Sequence, residues 1–387
     1  MSLKSFLSIS LLSLSFVSTH TTTAFANSVA IPIAESRVSI MAYNVENLFD
    51  NVDDPEHNDE AYLSLADKRQ NAKKQQNTCA ASNKPGTFYY DECMNLDWSD
   101  SVIETKMTRI ADTILSVNQN GADIILLEEV ENENILNQLN SKYLKDGKFI
   151  TQVILQGDDA RGINVGLLSK FPLAGTPKIH RIPFNVPAAS HSPMASIDPG
   201  AEVKGLKTRG ILQVDLKLPS GQTLTVFGVH FPSQGKPTIF RQQAVAFLNQ
   251  LQKNLPAGRV SVVGGDFNII ETEQQLVKDQ LATQWLVSHL IGCQACQGTH
   301  KYKTSWSFLD ILGFSKSPTA ASNSGFEPNS SYKLGSGLEV DADSIRVVKS
   351  GKYQLDNSGD PARFDEKTSY GVSDHLPIYA ELVSVSK

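Results

Sequence analysis

The sequence predicts an α/β domain in which two β-sheets pack face to face with helices on the outside. Three observations carry this expectation. Short apolar, β-branched runs recur at strand length, and two stretches at helical spacing lie among them. No internal repeat or linker divides the 387 residues into two cores. A single domain over residues 27–387 is expected, carrying a polar insertion at about 51–100. The composition, 40% hydrophobic and 20% charged, is that of an ordinary globular protein and excludes collagen-like, disordered and coiled-coil chains.

In chain order, Lys4 is the only charge before Glu35, and the apolar run Phe6–Val17 and the small-residue pattern Ala24-Phe25-Ala26 follow it. That order reads as a signal peptide over residues 1–26 and an exported protein, periplasmic or extracellular. No later run approaches the ~20 apolar residues that span a bilayer, so no membrane anchor is expected. The net charge is 35 − 41 = −6, and losing Lys4 makes it −7. This excludes a generally basic nucleic-acid coat but allows a local basic groove.

Arg37–Asn44 reads as a buried strand. Residues 51–100 turn polar with little periodicity. Ile103, Met107, Ile110, Ile114 and Val117 then mark an amphipathic helix that Gly121 ends, and Ala122–Leu127 is a second buried strand. Further strands are expected near 149–155, 163–169, 210–216 and 222–229, the last two joined by the turn Pro219–Gln222. Phe240, Ala244, Phe247, Leu248 and Leu251 mark a helix with Pro237 near its first turn. Arg259–Val263 is a strand entering Gly264-Gly265. The pattern is then loop-rich until the strands expected over 306–314, 344–348 and 377–383, and residues 315–340 read as a surface loop.

Four cysteines, Cys79, Cys93, Cys293 and Cys296, suit an oxidising compartment and two disulfides. Three pairings are open, and the local ones require the least assumption. A zinc knuckle or redox dithiol at Cys293-Gln-Ala-Cys296 lacks the second close pair or the helix start it would need.

Acids, amides and histidines fall at the ends of the apolar strands: Asn44-Val-Glu46, Glu128-Glu129, His230-Phe-Pro-Ser233, Asp266-Phe-Asn268, Asp310 and Ser373-Asp374-His375. Strand ends can share one cleft, and several carboxylates with two amides and two histidines combine hard-cation ligands with proton carriers. Such a set suits phosphate-ester hydrolysis.

In this order the motifs resemble the endonuclease/exonuclease/phosphatase superfamily over about residues 37–385. Asn47-Leu-Phe-Asp50, Asp53-Asp-Pro55 and His230-Phe-Pro-Ser233 look most like its secreted bacterial nuclease-like branch. The resemblance implies a four-layer sandwich of two mostly antiparallel sheets flanked by helices. It also implies a metal-dependent phosphodiesterase, foremost an endonuclease cutting DNA or RNA. A phosphatase or phospholipid phosphodiesterase is the alternative, and a non-catalytic binding module is disfavoured because the chemical residues are retained. Nucleic acid is the expected partner, the metal Mg²⁺ or Mn²⁺, and the chain a monomer.

By resemblance, Glu129 is the principal metal ligand with Asn44 and Glu46 beside it, and Asp374 is left for the metal once His375 is paired with Asp310. Asp266 orients or deprotonates water, Asn268 holds that water or a phosphate oxygen, and His230 contacts the scissile phosphate. His375 stabilises the developing charge or protonates the leaving oxygen. Asp374 and His375, adjacent in an extended segment, point to opposite faces, so Asp310 is the expected partner of His375. Arg161, Asn164, Ser233 and Arg241 are expected at the substrate, with a surface salt bridge the competing reading for Arg241. The family commonly carries Gln where this chain has Glu128, an acid that either shifts the metal preference or faces away. Asp53, Asp54, Asp59 and Glu60 of the insertion are oxygen donors suited to a structural Ca²⁺ ion, or are simply solvated.

Overall fold

Thirteen strands build the two large sheets of the computed structural model, which describes residues 36–186, 203–204, 206–317 and 331–384. The expected signal peptide, the end of the chain and residues 318–330 of the expected surface loop lie outside the described residues. The strands are β1 (Ser36–Leu48), β2 (Ile124–Val130), β3 (Thr151–Ile154), β4 (Asn164–Ser169), β5 (Lys178–His180), β6 (Ile211–Lys217) and β7 (Thr223–His230). They continue with β8 (Val260–Asp266), β9 (Trp285–Val287), β10 (Asp310–Ser315), β11 (Ser331–Gly335), β12 (Leu338–Val347) and β13 (Ile378–Ser384). The first sheet has the order β11-β12-β13-β1-β2-β4-β3, and the second β9-β10-β8-β7-β6-β5. β1 runs parallel to β2 and β7 parallel to β8; the other pairings in both sheets are antiparallel.

Strand alternation sorts the core into layers. Along β1, Ile40 and Ala42 face the second sheet and meet Leu126, Val214, Val226 and Val262. Met41 and Tyr43 face outward, under Ile103, Met107, Ile110 and Ile114 of the helix Asp100–Leu115. On the far side, Phe227 and Val229 pack beneath Phe240, Ala244 and Leu248 of the helix Thr238–Lys253. The result is helix, sheet, sheet, helix. Two glycines of the second sheet make room for Leu126 of the first: a Cβ on Gly228 or Gly264 would stand 3.0 or 2.7 Å from its methyls.

Three local expectations are corrected. The insertion is helical, with helices Leu65–Gln70, Ala72–Ser82 and Phe88–Asn95. Its interior is polar, which is why it shows no apolar stripe. Buried Lys68 donates to the carbonyls of Ala61 and Leu96, and buried Gln75 to those of Glu60 and Cys93. The Cys79–Cys93 disulfide joins two of the helices, and the second disulfide is Cys293–Cys296. The run 306–314 divides into Ser305–Ser307, paired with His300–Tyr302, and β10. Residues 331–340 are not loop, because they form the hairpin of β11 and β12 at the sheet edge.

Candidate active site

Side-by-side parallel pairs bring four strand ends to one place. Asn44 lies opposite Glu128, and Asp266 lies opposite both His230 and Asp310. The register of β1 with β2 shifts between Asn44 and Leu48, and that of β2 with β4 between Glu128 and Val130. Within these irregularities Glu46, Asn47 and Glu129 adopt left-handed backbone with φ of 54°, 59° and 64°, and Asn268 follows at 53°. Bulges of this kind re-aim side chains that a regular strand would alternate. A cavity of about 410 Å³ opens there, lined by Glu46, Glu129, Arg161, Asp374 and His375. The insertion supplies its opposite wall with Tyr62 and the exposed Phe88 and Tyr89.

The groups form one network. Asn44 Nδ2 lies 3.2 Å from Asp266 Oδ2 and 3.5 Å from Glu129 Oε1, and its Oδ1 accepts from the Glu46 amide. Asn47 N donates to the other oxygen of Glu129 at 3.0 Å. His230 Nε2 is 3.5 Å from Asp266 Oδ2 and 3.8 Å from Glu129 Oε1. Burial, with Arg209 and Arg161 adding, holds His230 well below the usual histidine range, so its imidazole is neutral. Burial raises Asp266 to about 7, with Asp310 adding and His375 opposing.

His375 Nδ1 donates to Asp310 Oδ2 at 2.7 Å. Burial alone would lower His375, but the charge and hydrogen bond of Asp310, with Asp374 and Asp266, carry it well above its ordinary value. Asp374 does not turn to the opposite face as expected: its Oδ1 lies 3.9 Å from His375 Nε2, its backbone N–H donates to Glu46, and its Oδ2 lies 3.5 Å from Arg363. Glu46 also accepts from the Arg363 side chain and the Phe364 amide.

Four expectations change. Asn164 is buried, and its side chain is saturated by Gly157 N, Glu131 O, Gln156 and Gly162 O, so it braces the 156–164 loop rather than meeting substrate. Arg241 is 1% exposed and is neither a phosphate clamp nor a surface pair. It is locked to Glu273 and to the carbonyls of Pro232, Ser233 and Lys236. Ser233 stands exposed on that loop, outside the cavity lining. Asn268 spends Nδ2 on Phe231 O and Asp266 Oδ2, each at 3.1 Å, and its backbone N–H on Asp266 Oδ1, so it positions Asp266 rather than holding phosphate.

Glu128 lies opposite Asn44 on the same face of the sheet but outside the cavity lining, fully buried with neither oxygen hydrogen-bonded, and burial, with the charges of Asp310 and Asp266, raises it strongly. It has room because residue 265 is glycine. A Cβ there would lie 2.9 Å from Glu128 Oε1 and 2.0 Å from Val229 O.

Several site groups carried no sequence signal. Arg363 sits in an aperiodic loop, and its guanidinium bridges Glu46 and Asp374. His300 forms, with Asp374 and His375, one of two described clusters whose ligand atoms lie within 4.8 Å of one another; the other is Asp53, Asp59 and Glu60. Arg209, buried beside His230, pairs with Asp159 at 3.1 Å.

Comparison with known proteins agrees with this architecture. The model of the Endonuclease/Exonuclease/phosphatase family matches residues 104–329, more than half the chain, and a second model of that description matches residues 39–84. No curated protein matches the chain in sequence. Among solved structures, an endonuclease/exonuclease/phosphatase family protein of Bacteroides thetaiotaomicron aligns at TM-score 0.51 and 14% identity, over 92% of this chain and 100% of its own. A mannosyl-6-phosphatase of the same organism aligns at TM-score 0.50 and 14% identity, over 89% and 99%. At these identities the structural likeness shows the fold. The family match, covering the strand ends that carry Glu129, His230, Asp266 and Asp310, shows more: the chain belongs to the endonuclease/exonuclease/phosphatase family, whose members hydrolyse phosphate esters.

Proposed function

We propose that this protein is an exported, divalent-metal-dependent phosphodiesterase, foremost an endonuclease that hydrolyses DNA. The observation that carries the reading is the meeting of Glu129, His230, Asp266 and the His375–Asp310 pair around one cleft. Export is supported by two disulfides and by the composition of residues 1–26.

The donor set fits Mg²⁺ or Mn²⁺. Glu46, Glu129, Asp374 and Asn44 offer only hard oxygens, the four cysteines are in disulfides, and the nearest donors to Glu129 Oε1 stand 3.5 and 3.8 Å away. Those four residues would hold the ion, which supplies Lewis-acid polarisation of a phosphoryl oxygen.

Asp266 takes the proton of the attacking water. Its value near 7 makes it a competent base at neutral pH, and Asn44 and Asn268 fix its orientation. Neutral His230 contacts the phosphate from beside Asp266. His375, kept protonated by Asp310, donates from Nε2 to the developing charge or the leaving oxygen. Arg161 faces the same cavity, half exposed, as a phosphate clamp, and Arg363 joins it there.

A phospholipid phosphodiesterase is the second reading, favoured by Phe88 and Tyr89 standing 70% and 67% exposed at the cleft wall. Plasmid nicking tests the proposal, using the wild type with Mg²⁺, with EDTA, and the D266A variant with Mg²⁺. Nicking by the wild type with metal alone is expected. Folded protein that cleaves sphingomyelin vesicles or phosphomonoesters but no plasmid overturns the nuclease reading.

A further inference from the structure

The insertion holds a second acidic centre. Oxygens of Asp53, Asp59 and Glu60 lie within 4.8 Å of one another. Asp59 is only 2% exposed; its Oδ2 accepts from the Asp54 amide at 2.9 Å, while its Oδ1 is buried without a hydrogen-bond partner. A buried carboxylate oxygen left unpaired is costly, and the side chain that bears it belongs to the cluster. Lys74 answers part of the charge, its Nζ 2.6 Å from Asp53 Oδ2 on a side chain 65% exposed. Three carboxylates and one ammonium leave −3 + 1 = −2. The donors are all oxygens, without imidazole or thiolate, which selects a hard divalent cation over zinc or copper.

We propose that Asp53, Asp59 and Glu60 form a structural calcium site, distinct from the catalytic residues although Glu60 also lines the cleft. Asp59 precedes the turn Glu60–Tyr62, and Tyr62 stacks on Phe49 with ring centroids 3.8 Å apart. Tyr62 and Asn58 line the cleft, and Asn58 N bonds Ala160 O at 2.7 Å, beside Arg161. An ion held by Asp59 and Glu60 fastens this wall to the loop bearing Arg161 while taking no part in the chemistry. The site stands whatever the substrate of the cleft.

The test uses the full chain with Ca²⁺ alone as probe, in an E129Q background that removes the principal carboxylate of the catalytic site. Calorimetric titration is expected to show one Ca²⁺ per chain, and melting to rise by about 4 °C at a hundredfold excess over Kd. D59N in the same background, whose amide oxygen still accepts from Asp54 N, should abolish both effects. E60Q, at the more exposed acid, should weaken binding at least tenfold with the fold intact. Folded E129Q that takes up no Ca²⁺ overturns the proposal. So does uptake that persists with equal affinity in both D59N/E129Q and E60Q/E129Q.

Discussion

Replacing Asp310 by asparagine keeps the size of the side chain and removes one negative charge 2.7 Å from His375 Nδ1. Asp310 is fully buried and His375 nearly so, so water screens the pair little. A charge-assisted hydrogen bond in such a setting contributes about 1.5–3 kcal/mol. At about 1.4 kcal/mol per unit, the His375 pKa should fall by about 1–2 units. Because the folded-state value is raised, the pair's contribution to stability is complete below about 6.5 and fades as pH rises through the folded value. D310N should therefore melt lower than wild type at pH 6, with the gap narrowing at pH 9. An acid that titrates earlier also moves the basic limb of the rate profile down by about 1–2 units, and kcat should fall about 10²–10⁴-fold. Mg²⁺-dependent hydrolysis of a chromogenic phosphodiester from pH 5.5 to 9.5 reads both effects. A basic limb at the wild-type position, with activity within twofold, would refute the pairing as a working element.

Other perturbations follow from the same geometry. D266N should lose at least about 10²-fold in activity. It should also melt above wild type at pH 8 in EDTA: an acid raised to about 7 stabilises below its unfolded value and loses that contribution as pH climbs, so the gap closes toward pH 4. A D266N melt equal to wild type at pH 8 would contradict that sign. R241M removes the guanidinium from partly buried Glu273, which keeps Thr238 and Gln234, and from the carbonyls of Pro232, Ser233 and Lys236; it should cost about 3 kcal/mol, with R241M/E273L recovering part of the loss in a thermal melt. Cys79 and Cys93 close a loop with a sequence separation of 14, so C79A/C93A should lose about 3 kcal/mol. An equal melt for that variant would show that the polar contacts of Lys68 and Gln75 suffice to hold the insertion.

The layered fold was legible because its information is local. Alternation along Arg37–Asn44 and the spacing from Ile103 to Val117 report which faces are apolar, and those faces are the core. The gathering of the candidate residues at one cleft was legible because polar groups at apolar strand ends have few other reasons to be there. Illegible were groups whose meaning is a partner far along the chain. Arg241 looks like a surface cation until Glu273 is placed beside it, and Asn164 like a substrate ligand until three carbonyl oxygens surround its amide. Arg363, 317 residues from Glu46, has no pattern of its own to read. The insertion was missed as helix because its helices rest on carbonyl-capped polar side chains and a disulfide.

The groups proposed to carry the chemistry come from both sheets: Asn44 and Glu129 from one, His230, Asp266 and Asp310 from the other. Leu126, lodged against Gly228 and Gly264, is therefore a shim that gauges the opening between the two halves of the machinery. A methyl group added at Gly228 would pry the halves apart without touching any of them, since a close-packed interior passes strain on rather than absorbing it. In a G228A variant, turnover should therefore fall while the helices and every group in the cleft are still in place.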